Sequence, residues 1–396
     1  MGRSGINSFS ILNRIVALVL IVLVYIRSSY FSDLLPELLY YVVIAFVNVY
    51  LILIASVDKI TYNRDSVLLY AVCLTSLVVG WLTFSLEPQL NSVRRLLIFI
   101  LVFNVIGPLF HTPTTLQLRK YLFNYIMWSY PLVFFANFVY LIILKNIDFV
   151  ANAGLHESPN LMGVTSGLAV LWFALQILKN PNKGFKIILY SGILLSLPLL
   201  LISASRAAFL STGLSLLFIF ILWTKSKLRL TVGLSTGLII VLVFFGQVLS
   251  PFMEVMKAKA EVRANQDITG GRAVMYKDNL KDFALNPLLG VGFYNVVNKE
   301  KTKINSDGSL EYPSGWLFIL ASTGLLGFRY FYKLIKEFVF QLNQGSSSHL
   351  VDRNSLVFLV FFFIHSNFEG YIYSAGGLLF FLFWVTVSRF KISLYI

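Results

Sequence analysis

The sequence predicts an all-α protein that spans a membrane many times, and its composition and its apolar runs predict that class. Of the 396 residues, 57% are hydrophobic and only 13% are charged, and the mean hydropathy is +0.78. Soluble domains carry about a quarter charged residues. The apolar residues fall into runs of about 20, the length at which a helix crosses a bilayer with its backbone hydrogen bonds satisfied.

These runs follow one another along the chain and predict about twelve transmembrane helices. The last two runs are short, so the count falls to ten or eleven if one is re-entrant. The runs are 11–26, 34–57, 66–86, 96–110, 121–144, 160–178, 186–204, 207–223, 230–250, 314–332, 355–368 and 374–388. The chain thus divides into a helical bundle over residues 1–250, a long polar loop over 251–313 and C-terminal helices over 314–396.

The basic residues predict the orientation of these helices. If both termini are cytoplasmic, the inside segments collect 17 lysines and arginines and the short outside loops collect 5. Cytoplasmic loops carry such an excess, whereas long loops cross the membrane largely regardless of their charge. The 251–313 loop is therefore expected outside. The same distribution explains most of the +14 net charge without a nucleic-acid partner.

In this orientation four polar clusters fall on the outer side. They are residues 156–160, 203–206, the 251–313 loop and residues 365–369. Separate polar clusters on one face of a membrane protein favour a single site.

Two arginines are the leading candidates for binding an anion in that site. Arg206 lies where two spans meet with almost no loop between them, and a charge there is costly unless it has a use. Its guanidinium fork matches the oxygens of a phosphate, and Ser205 beside it adds a hydroxyl. The alternative is an arginine that only snorkels to the membrane interface.

Arg272 is the second arginine, and it follows Gly270 and Gly271. Apolar residues recur at helical spacing from Ala273 to Leu285, which predicts an amphipathic helix on the membrane surface. Glycines before a helix start let free N–H groups approach a phosphate, and the helix dipole adds positive potential there. The alternative is an ordinary turn, because Gly-Gly-Arg is common in turns.

A catalytic site also needs a group that accepts a proton. The candidates are His156, Glu157, Glu311, His365 and Glu369. Glu157 and Glu311 are preferred, since a carboxylate near the lipid face can have a raised pKa that suits proton acceptance. Each candidate can equally be an ordinary loop or interface residue. No metal-ligand spacing is present, so neither a metal nor another cofactor is expected.

Several short motifs, taken in order, resemble the O-antigen ligase and O-antigen polymerase family of bacterial inner-membrane glycosyltransferases over roughly residues 156–330. The motifs are Ser-Pro-Asn at 158–160, Ser-Arg-Ala-Ala at 205–208, Gly-Arg at 271–272, Asn-Pro-Leu-Leu-Gly-Val-Gly at 286–292 and Gly-Leu-Leu-Gly at 324–327. The resemblance implies the helical fold of the C type of glycosyltransferases. It also implies an undecaprenyl-diphosphate-linked glycan donor, with Arg206 and Arg272 on the diphosphate.

One departure from the family pattern favours a polymerase. Ligases of this family usually carry a His-Asn pair before the span that follows the long loop, and here Tyr-Pro-Ser-Gly occupies residues 312–315. The expected activity is inverting, metal-independent polymerisation of lipid-linked repeat units for O-antigen or capsule. The alternatives are a ligase that transfers the polymer to lipid A-core or another acceptor, and a flippase for the same lipids.

The expected location is the bacterial cytoplasmic membrane, and the expected partners are membrane lipid, the lipid-linked oligosaccharide and a chain-length regulator protein. The arginines and glutamates above are the expected catalytic residues. The expected substrate contacts are His156, Asn160, Ser205, Gly271, Tyr294, which offers a ring for sugar stacking, His365 and Glu369.

Overall fold

A computed structural model describes residues 3–55, 60–84, 89–144, 152–179, 182–223, 272–297, 312–343 and 352–395. Its helices are α1 (Arg3–Arg27), α2 (Glu37–Ala55), α3 (Arg64–Phe84), α4 (Gln89–Ile106), α5 (Pro113–Leu144), α6 (Pro159–Lys179), α7 (Lys183–Ile202), α8 (Arg206–Trp223), α9 (Arg272–Leu285), α10 (Gly315–Asn343), α11 (Arg353–His365) and α12 (Leu378–Tyr395). A 3₁₀ turn lies at Ser32–Leu34, and strands β1 (Thr61–Tyr62) and β2 (Phe110–His111) pair antiparallel, with Thr61 opposite His111.

The helices agree with the predicted all-α membrane protein. The ninth predicted run, 230–250, lies outside the described residues, as does most of the 251–313 loop, and every other run coincides with a helix. Six described helices are long and apolar enough to cross a membrane, and two shorter ones, α2 and α11, have apolar cores. The total of about twelve spans stays a prediction.

The chain forms two compact units that do not follow sequence order. The first contains Met1–Ile126, Arg272–Leu356 and Ser366–Ile396, and the second contains Met127–Gly271 and Val357–His365. The three sequential segments predicted from hydropathy are a different division of the chain, and they stay a prediction.

Helix α3 of the first unit shows the packing expected in lipid. Its buried face is made of mostly small residues at spacings of three and four: Ser66, Leu69, Cys73, Ser76 and Gly80. Its exposed face carries large apolar side chains: Val67, Leu68, Leu74, Val78, Trp81 and Leu82. Small residues let helices approach closely, and lipid accepts the large apolar ones.

The glycine motif in α10 breaks the helix, and the loop before it replaces the lost hydrogen bonds. Gly324 has φ 63° and ψ −162°, so the helical ladder cannot continue through it. The backbone N–H of Leu325 donates to the Pro287 carbonyl at 2.8 Å, and that of Leu326 donates to Leu288 at 3.2 Å. Two motifs that are separate in sequence therefore form one interlocked backbone structure.

The 286–292 turn lies so close to α10 that it requires glycine. Gly290 has φ +71°, and a Cβ there would lie 2.5 Å from the Ala321 carbonyl oxygen. The same oxygen accepts a hydrogen bond from the Val291 N–H at 2.9 Å. On the opposite side, a Cβ at Gly80 of α3 would lie 2.5 Å from the Val291 carbonyl oxygen. The 286–292 segment is thus the tight return expected from its proline and glycines.

The two ends of α10 are held by different interactions, a backbone hydrogen bond at the start and ion pairs towards the end. At its start, the Gly315 N–H donates to the Ser366 carbonyl at 2.7 Å. Eighteen residues later Lys333 pairs with Asp65 at 2.6 Å, and four residues beyond it Glu337 pairs with the buried Lys391. The segment predicted to lie outside and the residues predicted to lie inside therefore contact different ends of α10, and the orientation itself stays a prediction.

Candidate functional site

In the second unit, a tight and well-bonded turn positions Arg206. The turn reverses the chain between α7 and α8, and Ala204 takes the left-handed conformation with φ +50°. Ser203 Oγ accepts from the Ser205 N–H at 3.3 Å, and Ser205 Oγ accepts from the Ala208 N–H at 3.4 Å, as an N-cap does. Arg206 is consequently the first residue of α8, and Ser205 is buried beneath it.

The Arg206 side chain is exposed, and it makes no hydrogen bond or ion pair with another described residue. It shares its position with the free N–H groups and positive dipole end of α8. An uncommitted guanidinium at a helix start is well suited to bind an anion.

Residues on both sides of the 156–160 cluster contact this turn or the residue before it, and a shared site stays a prediction. A Cβ at Gly163 of α6 would lie 2.7 Å from both Ser203 Oγ and Ser205 Cβ, and the Asn152 N–H donates to the Ile202 carbonyl at 3.3 Å. The chain between Asn152 and Gly163 includes Glu157 and Asn160, which are both exposed.

The two candidate histidines of this unit are buried. His156 is 3% exposed, and its Nε2 lies 3.0 Å from Thr165 Oγ1 and 3.4 Å from Asn137 Nδ2, so it connects α6 to the second half of α5. His365 is fully buried, and its ring stacks on Phe361 at 5.6 Å between centroids. Direct contact of either histidine with a substrate stays a prediction.

In the first unit, Arg272 begins α9, where the sequence predicts a helix start. Its Nη2 lies 3.2 Å from Oε1 of Glu369, and the two side chains are 40% and 24% exposed. The structure therefore brings together two predicted site residues that are 97 positions apart. The Tyr276 hydroxyl, one turn later, lies 3.3 Å from the carbonyl oxygens of both Pro313 and Asn367 and can donate its one proton to either. This contact holds α9 to the segments around Glu369.

Helix α9 buries its carboxylate and amide side chains and exposes a mostly apolar face that also carries Lys277. The buried residues are Asp278, Asn279 and Asp282, and exposed ones include Ala273, Leu280 and Ala284. This arrangement fits the predicted surface helix, because an outward apolar face can enter the lipid interface. Sequence reasoning considered only the apolar stripe and missed the carboxylates, although their spacing of four residues places them on one face.

Tyr294 lies in a closed aromatic cluster. Its side chain is 3% exposed, and its ring contacts the Arg95 guanidinium at 5.4 Å, Tyr312 at 5.8 Å and Phe318 at 5.6 Å between centres. The expected stacking of a sugar on Tyr294 therefore finds no open ring face in this structure. The sequence could not show this, because the Arg95 guanidinium that covers the Tyr294 ring comes from α4, far away in the chain.

Two further candidates, Gly271 and Glu311, lie outside the described residues. Of the rest, the second unit holds His156, Glu157, Asn160, Ser205, Arg206 and His365, and the first holds Arg272, Tyr294 and Glu369.

Comparison with known families supports the resemblance. Residues 191–332 match the model of a family described as O-antigen ligase. The match begins within α7, ends within α10 and includes Arg206, Arg272 and the 286–292 turn, whereas the 158–160 motif precedes it. The resemblance to the O-antigen polymerase and ligase family is confirmed. A comparison with curated proteins gives no match.

Proposed function

We propose that this protein polymerises undecaprenyl-diphosphate-linked oligosaccharide repeat units for O-antigen or capsule at the outer face of the bacterial cytoplasmic membrane. One observation carries the proposal: an arginine stands at the start of both α8 and α9, within the stretch that matches the O-antigen ligase family. Arginine forks bind phosphate oxygens bidentately, and helix starts add positive potential. Each such group suits a phosphate of the lipid-linked donor.

In the proposed reaction, a hydroxyl oxygen of the acceptor repeat unit attacks the anomeric carbon of the donor chain. The bond between that carbon and the diphosphate oxygen breaks, its electron pair leaves with the lipid diphosphate, and the anomeric configuration inverts. Arg206 and Arg272 stabilise the charge that develops on the leaving group. Fixed cations of this kind are each worth roughly 100-fold or more in rate.

The proton of the attacking hydroxyl passes to a carboxylate in this proposal. Glu157 is the first candidate, because it is exposed in the loop whose Asn152 N–H donates to the Ile202 carbonyl just before the Arg206 turn. Glu311 is the second. Metal independence belongs to the same proposal, and unchanged activity of the purified protein in EDTA would support it.

The polymerase is preferred to the ligase because Tyr312 stands in the region where ligases of the family carry their His-Asn pair. The ligase remains the second candidate, since the matching family is described by that activity. A flippase is the third. A chain-length regulator protein is a proposed partner of the polymerase.

The test is a gel of surface polysaccharide from the source bacterium with the gene deleted and then restored. A polymerase predicts that deletion leaves anchors capped by a single repeat unit, and that Arg206→Ala and Arg272→Ala fail to restore the ladder. Bare anchors with polymer accumulating on the lipid carrier would identify a ligase. Repeat units retained on the cytoplasmic leaflet would identify a flippase, and a normal ladder in both variants would refute the arginine site.

The orientation is tested separately. Cytoplasmic termini and an outer 251–313 loop predict that a cysteine introduced into the loop of a Cys73→Ser variant reacts with an impermeant maleimide on intact spheroplasts. A cysteine added at either terminus should react only after permeabilisation.

A further inference from the structure

The buried face of α9 carries polar groups whose hydrogen bonds are incomplete. Asp278 is 1% exposed and Asn279 is 4% exposed. Neither carboxylate oxygen of Asp278 nor the amide nitrogen of Asn279 has a hydrogen-bond partner among the described residues. Lys281 Nζ forms an ion pair with Asp278 Oδ1 at 4.0 Å, which is beyond hydrogen-bond distance. By contrast Asp282, one turn on, accepts from the Val297 N–H at 3.2 Å.

A third such group lies in the segment before α10. Tyr312 is 5% exposed, and its hydroxyl has no hydrogen-bond partner in the described part of the chain. Burial, then Tyr294 and Asp282, raises the pKa of Tyr312 well above its ordinary value, so the phenol is neutral and keeps its proton to donate.

Two sets of contacts place Tyr312 near α9. The Tyr276 hydroxyl lies 3.3 Å from the carbonyl oxygen of Pro313, the residue after Tyr312. Asp282 accepts from the Val297 N–H, and Tyr294, three residues before Val297, has its ring 5.8 Å from the Tyr312 ring. Asp278 and Asn279 lie between Tyr276 and Asp282 in α9, so the three incomplete groups share one region of the first unit.

The chemistry of the three groups indicates the ligand. Buried polar groups are almost always hydrogen-bonded, so a bound molecule is expected to complete them. A carboxylate accepts, an amide nitrogen donates, and a phenol does both. Sugar hydroxyls provide both partners. A metal cation would be repelled by the amide hydrogens and the nearby ammonium group. A phosphate would be repelled by the carboxylates of Asp278 and Asp282.

We propose that Asp278, Asn279 and Tyr312 bind hydroxyl groups of the acceptor sugar, an assignment that rests on the polymerase function proposed above. Asn279 follows Arg272 by seven residues, which is two turns of the helix, so both lie on one side of α9 about 10 Å apart along its axis. That spacing suits a diphosphate at the helix start and a sugar ring beside the second turn.

The test compares the full-length protein in lipid nanodiscs with Asn279→Leu, which removes the amide at similar volume. The acceptor KM is expected to rise roughly tenfold, with the donor KM unchanged, for loss of one hydrogen bond to the ligand. The thermal midpoint without substrate should stay the same or rise, because the variant removes a buried group that lacks a partner. The exposed Lys277, two residues earlier, supplies the control Lys277→Gln, which should change neither quantity.

A lower thermal midpoint with an unchanged acceptor KM would make the cluster a structural network and overturn the proposal. An increase in the donor KM alone would overturn it as well. A binding measurement separates this outcome from failure of the proposed function: purified lipid-linked repeat unit should raise the thermal midpoint of the wild type by more than that of Asn279→Leu. If that shift is seen while the wild type forms no polymer, the sugar site stands and the polymerase assignment fails.

Discussion

The ion pair between Arg272 and Glu369 makes a quantitative prediction about donor binding. In the structure, the guanidinium that is proposed to hold the diphosphate contacts a carboxylate, with Nη2 and Oε1 3.2 Å apart. The diphosphate must displace this carboxylate to reach the arginine. Glu369→Gln keeps the size of the side chain and removes its negative charge, so we expect a lower donor KM and an unchanged kcat.

The exposure of the pair limits the size of the effect. The side chains are 40% and 24% exposed, so solvent screens their attraction. Exposed pairs are worth up to about 1 kcal/mol, which corresponds to at most about a fivefold decrease in the donor KM. The difference between wild type and variant should shrink as salt is raised, because added ions screen the pair further.

The assay is chain extension by purified protein in proteoliposomes, with the lipid-linked donor varied at saturating acceptor. Arg272→Ala is the matched comparison and should lose roughly 100-fold in kcat. A similar loss of kcat in Glu369→Gln would show that Glu369 takes part in the chemistry and refute its role as a competitor. A higher donor KM would instead support the sequence-based expectation that Glu369 contacts the substrate.

Three further predictions follow from other regions. Arg206→Ala should abolish chain extension yet change the unfolding free energy by less than about 0.5 kcal/mol, because the side chain is exposed and pairs with no described residue. Arg206→Lys, which lacks the bidentate fork, should restore little activity. Full activity of Arg206→Lys would argue against bidentate phosphate binding by Arg206. Gly324→Ala would place Cβ 2.4 Å from the Leu288 carbonyl at positive φ and should cost roughly 3 kcal/mol or more. The control Gly213→Ala, in open space within α8, should stabilise by about 0.5–1 kcal/mol, and equal midpoints for the two variants in fluorescence-detected size exclusion would contradict the interlocked turn. Burial, followed by the charges of Arg119 and Lys391, lowers the pKa of His111 from 6.5 to about 4. Between these pH values the unfolded chain binds a proton that the folded protein does not, so stability should fall as pH drops from 6.5 to 4. If His111→Gln left the dependence of stability on pH unchanged, His111 would not be its cause.

The sequence by itself determined the properties that depend on local patterns. The lengths of the apolar runs predicted the helices, because lipid requires each span to satisfy its own backbone. The amphipathic period and the preceding glycines predicted a helix starting at Arg272, and α9 begins at that residue. The order of short motifs predicted the family, which the match over residues 191–332 confirms. None of these inferences needed to know which helices are neighbours.

Only the tertiary structure decided which distant groups meet. It paired Gly324 with the 286–292 turn, Arg272 with Glu369 and Tyr294 with Arg95. It also turned the polar face of α9 inward, whereas periodicity alone shows that a helix has two faces without showing which of them is buried. The physical reason is that hydrogen bonds and ion pairs depend on distances of 3 to 4 Å between segments far apart in the chain. Those distances are set by how α3, α4, α9 and α10 pack together.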